Sequence, residues 1–281
     1  MKNDHYVWLT LFDKLFKKHE YLYHFTDIEK ASKILHGATL KFSKLSRTND
    51  TLESKPRINE KLGYSDCIEQ FKKLNQECVQ LLCFSTDDYV DDNKISFTVT
   101  ERMKYSDYTG RGFALPRMWA QYAKNNSGIC LIFNKKKLTE IIKEQLGENY
   151  ILGEMIDYKS PFEEYPLINE REELIKLLIK DVEQLHKTPI NAKFLKEHID
   201  FVKYNYFSKL DDWATEKEFR FLAYGENEYL IHGIFDTLVG IIVGEKTDVS
   251  DIEIIKMFAD KFTDIKKVSF TFNGCKLENL N

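Results

Sequence analysis

The chain is poor in the residues that break structure. Of 281 residues only 12 are glycine and five proline, below background usages of about 7% and 5%. Collagenous, linker-like and disordered chains need many such residues and few core formers, so those classes are excluded. Arginine is also scarce, seven of the 41 basic residues. Lysine is the solvated surface cation and arginine the one suited to forked contacts with carboxylate or phosphate, so each arginine carries more information than each lysine. No long basic run exists, Lys135-Lys136-Lys137 being the densest, and the net charge is −4 with a pI near 6.0. That balance argues against a protein living mainly on duplex phosphates. No stretch approaches the roughly 18 apolar residues of a membrane span. The five cysteines (Cys67, Cys78, Cys83, Cys130, Cys275) are odd in number and none pair as CxxC. The opening MKNDHYVWLTLF has too short an apolar run for secretion, so disulfide and zinc frameworks both fail. The expectation is a reduced, cytoplasmic protein with no membrane partner.

Aromatics are plentiful: 20 Phe, 15 Tyr and 3 Trp, enough to fill a compact core. The length suits one large domain or two small ones, and with no repeat, low-complexity segment or Pro/Gly linker we expect a single domain over 1–281. An apolar stripe predicts an N-terminal helix at 6–18. Tyr21–Phe25 reads as a strand, and Thr26 three residues before Glu29 fits a capping box. The helix so opened buries Ile28, Ala31, Ile34 and Leu35 and stops at Gly37. A short strand follows around Leu40–Phe42, then polar turns over 44–60 and a helix within 64–78. Val79–Ser85 and Ile129–Phe133 are continuous apolar runs, hence buried strands. A short helix from Pro116 to Lys124 lies between them, and Asn134 caps a helix towards Gly147. Two helices broken near Thr188-Pro189 are expected within a helical insertion at 165–208. Strands at 218–224, 238–243 and 267–272 follow, the last two linked by a helix at 251–263. The class is α+β rather than a regular βαβ series.

Several motifs fail on spacing. Gly240 and Gly244, before Lys246 and Thr247, are separated by three residues where a phosphate loop needs four, so a tight turn leaving a buried strand is the better reading. HExxH, GxSxG and GxGxxG are absent, and the seven histidines are dispersed. Asp87-Asp88 and Asp91-Asp92 read as solvated acidic pairs, and no metal is expected. Two clusters remain. His24 lies between Tyr23 and Phe25 on a strand; if both aromatics enter the core, period 2 turns the imidazole to a cleft or to solvent. In Trp213-Ala-Thr-Glu216-Lys-Glu218-Phe219-Arg220-Phe221, the same period aligns Glu216, Glu218 and Arg220 on one face. That face is either solvated and of little energetic worth, or functional.

Taken in order, YHFT (23–26), ILHGATLKFS (34–43), TND (48–50) with Glu53, CFS (83–85), MWAQYAKNNSGICLIF (118–133), WATEKEFR (213–220) and VGIIVG (239–244) resemble the bacterial domain-of-unknown-function family 2971. The chain departs from that pattern at Thr51-Leu52, where the family has proline and an aromatic. The order histidine, tyrosine, glutamate more distantly resembles ADP-ribosyltransferases of the His-Tyr-Glu type. That resemblance implies two split mixed sheets with a helical insertion, and NAD held as substrate in the cleft between the sheets. By position it implies Glu218 as catalytic glutamate, His24 on a ribose hydroxyl, and Tyr122, with Trp119, stacked on nicotinamide. Thr26, Asn49, Asp50, Ser85, Thr86 and Glu216 would line the cleft, and Arg47 or Arg220 would contact pyrophosphate. The function implied is NAD-dependent ADP-ribosyl transfer or NAD hydrolysis, in a toxin or phage-defence effector, with a protein or nucleic-acid acceptor and an inhibitor or antitoxin as partner. Two alternatives stand beside it. One is a non-catalytic nucleotide- or partner-binding module. The other is a nucleic-acid-acting enzyme clamped by 86–114 and 168–208, which the acidic balance disfavours.

Overall fold

A computed structural model describes residues 21–50, 76–87, 110–159, 191–259, 265–271 and 274–280. The helix expected at 6–18, most of the one expected within 64–78, the break near 188–189 and most of the 86–114 loop lie outside these residues; Gln76 and Glu77 are helical.

Among the described residues the strands are β1 Tyr21–Thr26, β2 Thr39–Lys41, β3 Ser43–Lys44, β4 Val79–Ser85, β5 Ile129–Asn134, β6 Tyr150–Met155, β7 Asp157–Lys159, β8 Ser208–Leu210, β9 Glu218–Tyr224, β10 Leu230–His232, β11 Leu238–Val243, β12 Ile265–Thr271 and β13 Gly274–Asn279. The helices are α1 Ile28–Gly37, α2 Pro116–Gln121, α3 Lys135–Leu146, α4 Ala192–Glu197, α5 Ile199–Tyr206 and α6 Val249–Ala259. One mixed sheet runs β13-β12-β11-β5-β1-β4-β9-β6, with β3 also on the edge of β4, and two short pairs, β10-β2 and β7-β8, flank it. Within the large sheet every pairing is antiparallel except β11–β12, whose parallel connection carries α6. The α+β class holds.

The apolar run Ile129–Phe133 is buried throughout because β5 lies between β1 and β11 and is covered on both faces. One face packs Leu22, Phe84, Leu131, Phe133, Phe219 and Phe221 against α1, α3 and α6. The other face carries two separate clusters. Tyr23, Phe25, Phe113, Trp119 and Cys130 make one; Leu81, Leu195, Val202, Tyr206 and Leu222 make the other. The described part of the 165–208 segment therefore belongs to the core through α4 and α5, which break at His198.

Three helix boundaries differ from expectation. Thr26 stays in β1, paired with Ile129, so the cap of α1 is Asp27, which accepts from Lys30 N at 2.8 Å. Glu29 binds Lys33 instead of closing a capping box. At the other end Gly37 remains helical and Ala38 takes the left-handed cap, φ 49°. Helix α2 ends at Gln121 rather than Lys124, and Lys124, Asn125 and Asn126 follow in the left-handed region.

Candidate functional site

The sheet opens between β1 and β4. β1 pairs with β5 along six residues, yet meets β4 at a single ladder pair, Tyr23–Ser85. Further along the same edge of β4, β3 pairs at Leu81 and Gln80. Between these contacts no ladder pair joins the β4 edge among the described residues, and its backbone polar groups take other partners. His24 supplies one: its Nδ1 lies 3.3 Å from the Cys83 carbonyl. A carbonyl only accepts, so Nδ1 carries the proton and donates, leaving Nε2 of the neutral ring as an acceptor. Burial lowers the His24 pKa and favours that neutral ring, which sits tilted against Phe84 at 5.5 Å.

The opening is a cavity of about 240 Å³. His24 from β1, Cys83 and Ser85 from β4 and Tyr122 after α2 line it, with Arg47, Asn49 and Asp50 from the 3-10 turn and loop after β3. Lys209 from β8, Glu216 from the 3-10 turn Asp211–Glu216, and Glu218 and Arg220 from β9 also line it. Antiparallel pairing sets Tyr23, Ser85 and Glu218 side by side across three strands. The Ser85 hydroxyl is buried with no hydrogen-bond partner among the described residues.

Four of these side chains form a buried ionic network. Arg220 donates from Nε to Glu218 Oε1 at 2.7 Å, with Nη2 also at 2.7 Å, and from Nη1 to the Tyr206 carbonyl. Lys209 Nζ lies 2.6 Å from Glu218 Oε2 and 3.1 Å from Glu216 Oε2. The Tyr122 hydroxyl donates to Glu216 Oε1 at 2.7 Å and is also hydrogen-bonded to the Asn49 side chain. Burial, then the Glu216 charge, raise the Tyr122 pKa and keep that hydroxyl protonated. Burial would raise the Glu218 carboxyl, but the Arg220 and Lys209 charges outweigh it and hold the group well below the usual carboxylate range. The Tyr158 hydroxyl accepts from Glu218 N at 2.9 Å, fixing the start of β9. Glu218 is thus an ionised carboxylate clamped in one position.

Tyr23 and Phe25 are buried as expected, and they line the cavity together with His24, which lies on the other face of β1. The structure brings together His24, Arg47, Asn49, Asp50, Ser85, Tyr122, Glu216, Glu218 and Arg220. Trp119 is elsewhere: it is 0% exposed, its Nε1 donates to the Phe113 carbonyl at 2.7 Å and its ring meets Phe25 edge-on. The helical turn that carries Tyr122 to the cavity carries Trp119 into the core. Thr26 is buried at the end of β1, and Thr86 binds the Lys217 carbonyl; neither lines the cavity. Arg220 is 1% exposed and engaged by Glu218 and Tyr206, so it is not available to pyrophosphate. Lys217, at φ 48°, breaks the expected alternation, and Glu216 belongs to a turn, not to the strand. The charged face is buried rather than solvated. Asp87 likewise pairs with Arg111 and accepts from Gly112 N. Lys209 and Tyr158 were not legible as site residues; each is one of many of its type, brought in by long-range pairing.

Residues 118–221 match the model of a family described as protein of unknown function (DUF2971). No curated protein and no solved structure matches the chain. No helix among the described residues is long and apolar enough to cross a membrane.

Proposed function

We propose that the protein cleaves the nicotinamide–ribose bond of NAD, transferring ADP-ribose to an acceptor or to water. The observation that carries this reading is that His24, Tyr122 and Glu218, far apart in the chain, line one cavity where the sheet opens. Its volume of about 240 Å³ is below the roughly 300–1,000 Å³ of pockets that hold drug-sized ligands. The cavity therefore takes nicotinamide and its ribose, and the rest of the dinucleotide lies outside.

The chemistry asks little of the protein beyond placement. The C1′–N bond breaks and its electron pair goes to the pyridinium nitrogen, so neutral nicotinamide leaves. The oxocarbenium-like centre is captured by an oxygen or nitrogen of the acceptor, or by water, which then loses a proton. Glu218, ionised and fixed, stabilises positive charge at C1′ without reorganising. Nε2 of His24 accepts from a ribose hydroxyl, and the Tyr122 ring lies against the nicotinamide.

The test is incubation of the full chain with NAD, following nicotinamide by chromatography. Release is expected, falling about 10²–10³-fold in Glu218→Gln. Release unchanged by the substitution would remove Glu218 from this role. A second reading, a nucleotide-binding module without turnover, draws on the cationic partners already held by both oxygens of Glu218. Saturable NAD binding with no nicotinamide release, whatever the acceptor, selects it.

A further inference from the structure

Lys209 is a buried cation in the wall of the cavity, and its neighbours show what it holds. It stands in β8 beside Tyr158 of β7, with a side chain 6% exposed. Its Nζ lies between two carboxylates, 2.6 Å from Glu218 Oε2 and 3.1 Å from Glu216 Oε2. Glu218 is also fixed on its other oxygen by Arg220, itself held by the Tyr206 carbonyl. Glu216 takes the Tyr122 hydroxyl on its other oxygen at 2.7 Å. Lys209 is therefore the middle link of a series, Tyr122, Glu216, Lys209, Glu218, Arg220, that joins the residue after α2 to the start of β9. The turn carrying Glu216 is anchored on α2 from outside, where Arg117 donates to the Asp212 carbonyl at 2.8 Å and to Thr215 Oγ1 at 3.1 Å. Lys217, left-handed at φ 48°, separates the two glutamates in the chain, and Lys209 sets how far apart their carboxylates stand.

We propose that Lys209 is a positioning residue, which sets the distance between the Tyr122 ring and the Glu218 carboxylate without touching the ligand. The role rests on the NAD reading above. In that reaction Tyr122 holds the leaving ring and Glu218 stabilises the charge that develops at C1′, so their separation fixes where the breaking bond lies. A displacement of about 1 Å at either end costs about 10²-fold in rate. A compact ammonium suits this place. A neutral side chain would leave two buried like charges facing each other. Held between two carboxylates, the ammonium adds no net repulsion against a pyridinium ring.

The experiment is a double-mutant cycle on Lys209 and Glu216 in the full chain, read as nicotinamide release from NAD with urea unfolding in parallel. Glu216→Gln keeps an acceptor oxygen for Tyr122 but breaks the ion pair. Lys209→Met and Glu216→Gln are each expected to lower kcat about 10²-fold per folded molecule, with KM changed far less. The double variant should lose no more than either single one, because a single link is broken. Its stability should nonetheless exceed that of Lys209→Met, since Glu218 and Arg220 remain paired. If Lys209→Met does not fold, the double variant is compared with Glu216→Gln alone, and equal kcat is expected. Recovery of kcat together with stability would show that Lys209 serves the fold alone, and overturns the role. A loss near about 10⁴-fold in the double variant, the product of independent effects, overturns it as well, as does a loss confined to KM. A wild-type chain that releases no nicotinamide overturns the NAD reading and the role with it; release by the wild type makes any failure that of the role alone.

Discussion

Lys209, Glu216, Glu218 and Arg220 are buried together, and burying charge is costly unless it is paired and hydrogen-bonded. Removing one partner leaves the rest uncompensated. Lys209→Met is therefore expected to cost about 3–5 kcal/mol in urea unfolding, and adding Glu216→Gln should restore part of it. Glu218 makes stability depend on acid. Its carboxyl falls from an ordinary 4.5 to about 2 in the folded chain, so the unfolded state takes up protons first as pH drops. Its contribution is full above about pH 4.5 and is lost as pH falls through about 2. Urea midpoints should decline across that window, and less steeply in Glu218→Gln. A slope identical in the two chains would show that Glu218 is not the group responsible. Glu218 and Arg220 stood out in the sequence, because arginine is rare and strand alternation places the two together. Lys209 did not: one lysine among many gives no local sign that the chain will return it to Glu218.

At the scale of elements, the turn after α2 decides where Tyr122 and β5 lie. Three successive left-handed residues, Lys124, Asn125 and Asn126, bring the chain tightly against β1. A Cβ on Gly128 would stand 2.3 Å from the Thr26 carbonyl and 2.9 Å from the Ala123 backbone. Backbone cannot swing aside, so Gly128→Ala should cost at least about 1–3 kcal/mol, read as a fall in melting temperature. Helix α1 offers the converse. Ala38 occupies the left-handed cap position that glycine takes without a Cβ penalty, so Ala38→Gly should stabilise by up to about 1 kcal/mol. A lower melting temperature for Ala38→Gly would refute this. Both ends of α1 sit one residue from where the sequence suggested. The choice between Thr26 and Asp27 as cap is made by the pairing of Thr26 with Ile129, which is not local.

For the whole molecule, β1, β4, β5 and β11 were legible as strands from their apolar runs and β9 from its alternation. Their order was not. β4 lies between β1 and β9, and β5 between β1 and β11, arrangements carried by contacts distant in sequence. The three-residue strands β7, β8 and β10 are too short and polar to carry a period, and β6 reads ambiguously because glycine and glutamate fall within it. The opening of the sheet is a property of this scale: one ladder pair joins β1 to β4, and His24 stands where backbone pairing stops. The central claim is that this opening receives the nicotinamide end of NAD. A crystal structure of Glu218→Gln with NAD tests it most directly, with Tyr122→Ala as a control for occupancy. The account predicts the nicotinamide ring against Tyr122 and a ribose hydroxyl on Nε2 of His24. NAD bound outside the opening, or with its adenine in the cavity, would contradict it.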